Sequence, residues 1–234
     1  MVWTLTFLII VLAALIQACT GFGFAIIAIP LLILLYPAHY TITLSVLLSF
    51  ISSLSTLPRV RKDIDIVLLK PLITGSLLGL PLGGILYYIA DVMWLKLIVG
   101  ISIIAAAVFM MLRISIPLGN GKRIGFLSGF LTSSVGMPGP PIVLYLISKR
   151  VDKNIFRGTS MAFYCLVYLV SLILQLASGR FETDLLQDLL LIPAIFIGQA
   201  IGITLHNKIN QTWFRRVTFL LLLATGVNSL IHSV

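Results

Sequence analysis

Charge is what this chain has least of. Asp, Glu, Lys and Arg make up 10% of its 234 residues and only 7 are acidic, whereas soluble domains carry about 25% charged residues. With 59% hydrophobic residues and a mean hydropathy of +1.14, this excludes a soluble domain of any size and implies a polytopic membrane protein. Cysteine is nearly absent. Cys19 and Cys165 both lie in apolar stretches, so neither a disulfide framework nor a zinc spacing is available. His39, His206 and His232 sit near span ends without metal-ligand spacing. No metalloprotease helix, phosphate-binding loop, nucleophile elbow or mid-membrane carboxylate pair is present. The expectation is therefore no enzyme, no cofactor and no metal. The net charge of +9 comes from basic residues in short loops between apolar spans, a mark of membrane orientation rather than nucleic-acid binding. Residues 1–19 have some likeness to a signal peptide, and Ile16-Gln17-Ala18-Cys19 to a lipoprotein cleavage box. No lysine or arginine precedes that run and hydrophobicity resumes after Cys19, so it is read as mature protein.

What the chain does have is one stretch around which the rest is arranged: Gly136-Met137-Pro138-Gly139-Pro140-Pro141. Three prolines and two glycines cannot continue a helix. The flanking apolar pieces, 124–134 and 142–148, are about half the ~20 residues a crossing needs. Broken backbone at membrane depth persists only where protein or a water-lined cavity satisfies it. The expectation is a helix that enters, breaks and leaves by the same side; a kinked span or two short spans are the alternatives. Residues 2–36 are likewise too long for one crossing and break at Thr20-Gly21-Phe22-Gly23. Spans are expected at 41–58, 66–89, 93–112, 157–178, 184–206 and 214–233.

The halves repeat. An offset of 115 maps Gly21 onto Gly136, Ser45 onto Ser160, Ser49 onto Tyr164, Ser53 onto Tyr168 and Thr56 onto Ser171. At an offset of 119, Gly79 and Gly83 meet Gly198 and Gly202. If 124–148 turns back, all 16 basic residues except Lys96 and Arg180 share one side, as the positive-inside rule requires; a single crossing would divide them evenly. The expected fold is thus all-α and polytopic. Two inverted repeats, 1–112 and 124–234, flank a cytoplasmic linker, 113–123, and each repeat is a broken hairpin plus three transmembrane helices with both termini outside.

Two features point to transport. Helices broken near the midplane can aim N–H groups at an anion; Gly21, Gly23, Gly136 and Gly139 would admit a ligand, and Thr20, Ser133 and Ser134 would add hydroxyls. Phe22, Met137, Pro138 and Pro140 complete the two breaks, which are expected to meet near the midplane. Second, Arg157, Ser160, Tyr164, Tyr168, Ser171 and Gln175 recur every three or four residues on one helix face. Ser45, Ser49, Ser52 and Thr56 form the matching stripe. Polar faces in lipid point inward, either as a pathway or as interhelical hydrogen bonds. The expected substrate-binding set joins the breaks to Ser49, Ser52, Arg157, Tyr164, Tyr168, Ser171 and Gln175. The glycines at 75, 79, 83, 125, 129, 198 and 202 read as close-packing positions. Asp188 reads as an interfacial acid near a span end.

Gly21-Phe22-Gly23-Phe24 ahead of Pro30, with Gly125-x-x-x-Gly129 before Gly136–Pro141, resembles the TauE/SafE family of sulfite exporter-like (TSUP) permeases over nearly the whole chain. Pro138 departs from that family's glycine-rich run. The resemblance implies secondary transport of a small sulfur-containing anion such as sulfite or a sulfonate, by alternating access in a cytoplasmic (inner) membrane. Export is the expected direction, with a proton or sodium ion as the open choice of coupling partner. An anion channel and a non-transporting assembly subunit remain the alternatives.

Overall fold

The computed structural model describes residues 2–90, 120–179 and 185–208, with Trp94, Leu97 and Ile101. The expected spans at 93–112 and 214–233, and nearly all of the linker, lie outside the described residues. Nine α-helices follow among them: α1 Val2–Thr20, α2 Phe24–Leu32, α3 Ala38–Val60, α4 Ile66–Ile89, α5 Gly121–Val135, α6 Gly139–Ser148, α7 Lys153–Ala177, α8 Leu185–Leu189 and α9 Ile192–Lys208. Five helical segments are long and apolar enough to cross a membrane: Val2–Thr20, Ala38–Asp63, Ile66–Ile89, Lys153–Ala177 and Gln187–His206.

Local chemistry sets the ends. Asp65, Asn120 and Asp152 each cap a helix by accepting a backbone N–H, from Leu68, Lys122 and Asn154 respectively, which satisfies a donor the first turn leaves free. Gly21 (φ 86°) ends α1 and Gly136 (φ 74°) ends α5, both in the left-handed region that glycine enters without strain.

Both broken segments turn back on themselves. The Tyr36 hydroxyl lies 2.9 Å from Thr6 Oγ1, although a chain continuing through the break would carry Tyr36 some 45 Å away at 1.5 Å per residue. In the second segment, Ser128 Oγ donates to the Pro138 carbonyl, and a Cβ on Gly121 would touch the Tyr145 hydroxyl at 3.0 Å. Each contact joins the two arms of a hairpin.

The helix bounds keep the 115-residue offset: α2 and α3 recur as α6 and α7, within two residues. Packing repeats too, but across the halves. Gly75, Gly79 and Gly83 of α4 lie on the backbone of α5, where an added Cβ would run into the carbonyls of Lys122, Phe126 and Phe130. Gly198 and Gly202 of α9 lie in the same way on Val11 and Leu15 of α1. Lipid offers no hydrophobic gain for helix association, so this close backbone approach is what holds the helices together. Outward faces stay apolar, as at Leu78 and Ile85 of α4. At the centre, α3 packs along α7.

Two expectations bear on the site. The two breaks have different neighbours. α1 contains no breaker before Gly21 and runs 19 residues, about 28 Å, so its break falls far along the bundle, against Arg157 at the start of α7. The second break packs instead on Ile26 and Ile29 of α2 and on Ile42 and Val46 of α3. Asp188, at the start of the membrane-length segment Gln187–His206, does not face outward: it is buried and accepts a hydrogen bond from Tyr40 at 2.6 Å.

Candidate functional site

The α3–α7 seam is where buried polar side chains have few or no partners. Ser45, Ser49, Ser160, Tyr164, Ser171 and Gln175 are all at most 2% exposed. The side-chain polar atoms of Ser45, Ser171 and Gln175 make no hydrogen bond, nor do Ser133 on α5 and Nε of Arg157; Tyr164 and Ser160 meet only each other, and Ser49 meets only Tyr168. Tyr168 adjoins Ser49, and the Tyr164 and Tyr168 rings lie 6.1 Å apart. The set includes both members of two offset pairs, Ser45 with Ser160 and Ser49 with Tyr164. Native structures leave few buried polar groups unpaired, and each exception asks for a water, an ion or a ligand. From Arg157 to Gln175 the file follows 18 residues of α7, about 27 Å, close to the ~30 Å thickness of a bilayer's apolar core.

Other expected site residues are engaged in structure. Thr20 donates within its own turn, 2.7 Å from the Ile16 carbonyl and 2.8 Å from that of Phe22. Ser134 donates to the Phe130 carbonyl at 2.7 Å. Phe22 stacks edge-on against Phe156, with centroids 6.0 Å apart, and Met137 is a buried member of the same apolar cluster. Pro138 lends its carbonyl to Ser128. Pro140 occupies the first turn of α6, a position where its missing N–H leaves no helical bond unmade. The break glycines do not open to a ligand through their bare faces. Gly21 meets the Arg157 backbone, Gly23 meets Ile16, and Gly136 sits between Ile29 and Val46; Gly139 meets Ile26 and lies near the Tyr164 hydroxyl.

Ser52 is bonded on both sides. It donates to Gln17 Oε1 at 2.6 Å and accepts from Gln199 Nε2 at 3.0 Å. Gln17 also donates to Ser53, and Gln199 exchanges hydrogen bonds with Ser55. This network ties α1, α3 and α9 together, and the sequence reading missed it. Two lone glutamines inside apolar spans were its only local signal.

Different hydrogen-bonded groups lie at the two ends of the file. At the Arg157 end, His206 Nδ1 lies 2.7 Å from the Cys19 carbonyl and Nε2 lies 3.0 Å from Asn154 Oδ1. Lys153 Nζ donates to the His206 carbonyl at 3.3 Å. At the Gln175 end, Tyr87 pairs with Thr43 at 2.9 Å, and Tyr40 with Asp188. Among the described residues no group of His, Cys, Asp or Glu is arranged to hold a metal ion.

A bundle of membrane-length helices with a row of buried polar side chains defines a multi-pass membrane protein. The particular family follows from comparison: the profile for sulfite exporter TauE/SafE matches residues 6–229, and the chain belongs to that family. It is a transporter of the sulfite/anion exporter type, working on a small anion within a lipid bilayer. No curated protein and no solved structure matches the chain.

Proposed function

We propose that the protein exports a small sulfur-containing oxyanion, sulfite or an organosulfonate, across the cytoplasmic membrane by alternating access. The observation that carries this reading is the file of buried polar groups along α3 and α7, several of them unpartnered, which pass an oxyanion from one hydroxyl or amide to the next. Ser49, Ser133, Tyr164, Tyr168, Ser171 and Gln175 are its proposed substrate contacts. The two halves are inverted relative to each other, and the Arg157 end is the cytoplasmic one because the basic loops gather there. Both termini are then outside. Rocking of one half against the other would open the His206 end and the Asp188 end in turn.

Thiol labelling tests the path and the orientation together. In a background lacking Cys19 and Cys165, Ser49→Cys and Ser171→Cys should react with a small water-soluble thiol reagent. Leu169→Cys and Ile173→Cys, on the exposed face of α7, should react at least about tenfold more slowly, since only a hydrated thiol ionises readily. Sulfite should slow labelling at Ser49→Cys. An impermeant reagent applied to intact cells should miss Arg61→Cys and Lys149→Cys. Equal reactivity of the two faces of α7 would remove the path; labelling of either loop position in intact cells would reverse or dissolve the orientation.

A further inference from the structure

The two breaks are equivalent by position but have diverged in the property that matters to an anion. At the first break α2 starts at Phe24 with no side-chain cap. The N–H groups of Phe24, Ala25 and Ile26 have no hydrogen-bond partner among the described residues, and all three residues are buried. Beside them, Gly21 packs against the Cα, Cβ and Cγ of Arg157. Arg157 is 6% exposed and its Nε is unpartnered. The carboxylate of Asp63 acts favourably on its charge, and Arg59 opposes that effect.

At the second break the same positions are altered. The 115-residue offset carries Ala25 and Ile26 onto Pro140 and Pro141, which have no N–H to give. It carries Arg157 back onto Ile42, and it is Ile42, with Ile29 and Val46, that surrounds Gly136. One break therefore keeps three backbone donors and a cation, while its counterpart keeps only the Gly139 N–H, equivalent to that of Phe24, and has no cation.

A guanidinium held largely out of water, with Asp63 as the one carboxylate acting on it, is short of partners. Placing it by the positive end of a helix makes the site worse still until an anion arrives. We propose that the first break is a one-sided anion subsite, in which a small oxyanion is held between the Arg157 guanidinium and the N–H groups of Phe24, Ala25 and Ile26. The second break has no such subsite. Resting on the transport reading above, this makes loading asymmetric: an anion is captured at low concentration from the Arg157 face and only weakly from the opposite face. A forked guanidinium with adjacent amide donors suits a tetrahedral or pyramidal oxyanion better than a halide.

The test titrates purified protein with sodium sulfite at constant ionic strength, reading thermal unfolding, since a ligand of the folded state raises Tm. The parent Tm should rise with sulfite and not with chloride. Arg157→Gln should be at least as stable as the parent without sulfite, because a buried charge has been removed. It should need at least about tenfold more sulfite for the same rise, as expected when a charged hydrogen bond is lost. Arg157→Lys, which retains the charge, should fall between the two. In oriented membrane vesicles, Arg157→Gln should raise the KM for sulfite about tenfold from the Arg157 face and less than twofold from the other. A parental sulfite response in Arg157→Gln would overturn the subsite, and so would no response in the parent. An equal KM rise on both faces would overturn its one-sidedness. A parent that binds sulfite without moving it would remove the transport reading and leave the subsite standing.

Discussion

Tyr164→Phe should be more stable than the parent protein and much less active. The Tyr164 hydroxyl is buried and has only Ser160, one turn earlier on its own helix, as a poorly aligned hydrogen-bond neighbour, and an incompletely satisfied buried polar group costs about 1–3 kcal/mol. Its ring packs against Phe163 and Tyr168 at centroid distances of 6.1 Å, and phenylalanine keeps both contacts. Removing the oxygen thus deletes a cost and little else from the resting fold. If the hydroxyl exists to hold a passing oxyanion, sulfite uptake at low concentration should fall about 10- to 100-fold, the worth of a hydrogen bond to a charged group. Thermal unfolding and initial uptake measured on one preparation decide it. A variant that is destabilised yet transports normally would mean that the hydroxyl is bonded within the fold, and that the file is structural at this point.

Gly79→Val should prevent folding, and Gly198→Val should do the same. In α4 a Cβ at position 79 would collide with the Phe126 carbonyl and approach Phe130 N to 2.8 Å. In α9 a Cβ at position 198 would collide with the Val11 carbonyl and come within 2.9 Å of the Ala14 side chain. Neither neighbour is a flexible side-chain tip that can swing away. Overpacking of ordinary cores costs about 1–3 kcal/mol; a backbone-to-backbone contact has less room to adjust and should cost more. Gly84→Ala is the control, since its Cβ would meet only Leu174, at 3.6 Å. Size-exclusion profiles should show monodisperse Gly84→Ala and aggregated or absent Gly79→Val and Gly198→Val. A well-folded Gly79→Val would mean that α4 and α5 are not locked by close approach.

These effects also separate what was legible in the sequence from what was not. The breaks were legible because glycine and proline act locally: α1 ends at Thr20 and α6 begins at Gly139 whatever surrounds them. The span at 66–89 was read to the residue, and the glycine ladders announced close packing by their four-residue spacing. Depth was not legible. Nothing near Gly21 says that α1 carries it to the start of α7, because the contact with Arg157 joins positions far apart in the chain. The stripes were visible as period, but not which hydroxyls were already used. Ser52 and Ser49 look alike in sequence; Gln17 and Gln199 reach Ser52 from other helices, and Ser49 has only Tyr168 beside it. Asp188 misled for the same reason, since Tyr40 lies 148 residues away in the chain.

The central claim is that the buried file moves an oxyanion, and counterflow tests it most directly. Purified protein in liposomes preloaded with unlabelled sulfite should accumulate radiolabelled sulfite transiently above equilibrium. The initial rate should saturate with external sulfite, and Tyr164→Phe or Arg157→Gln should depress it. Sulfite entry that rises linearly with concentration and shows no counterflow, or no entry above that of protein-free liposomes, would contradict the account.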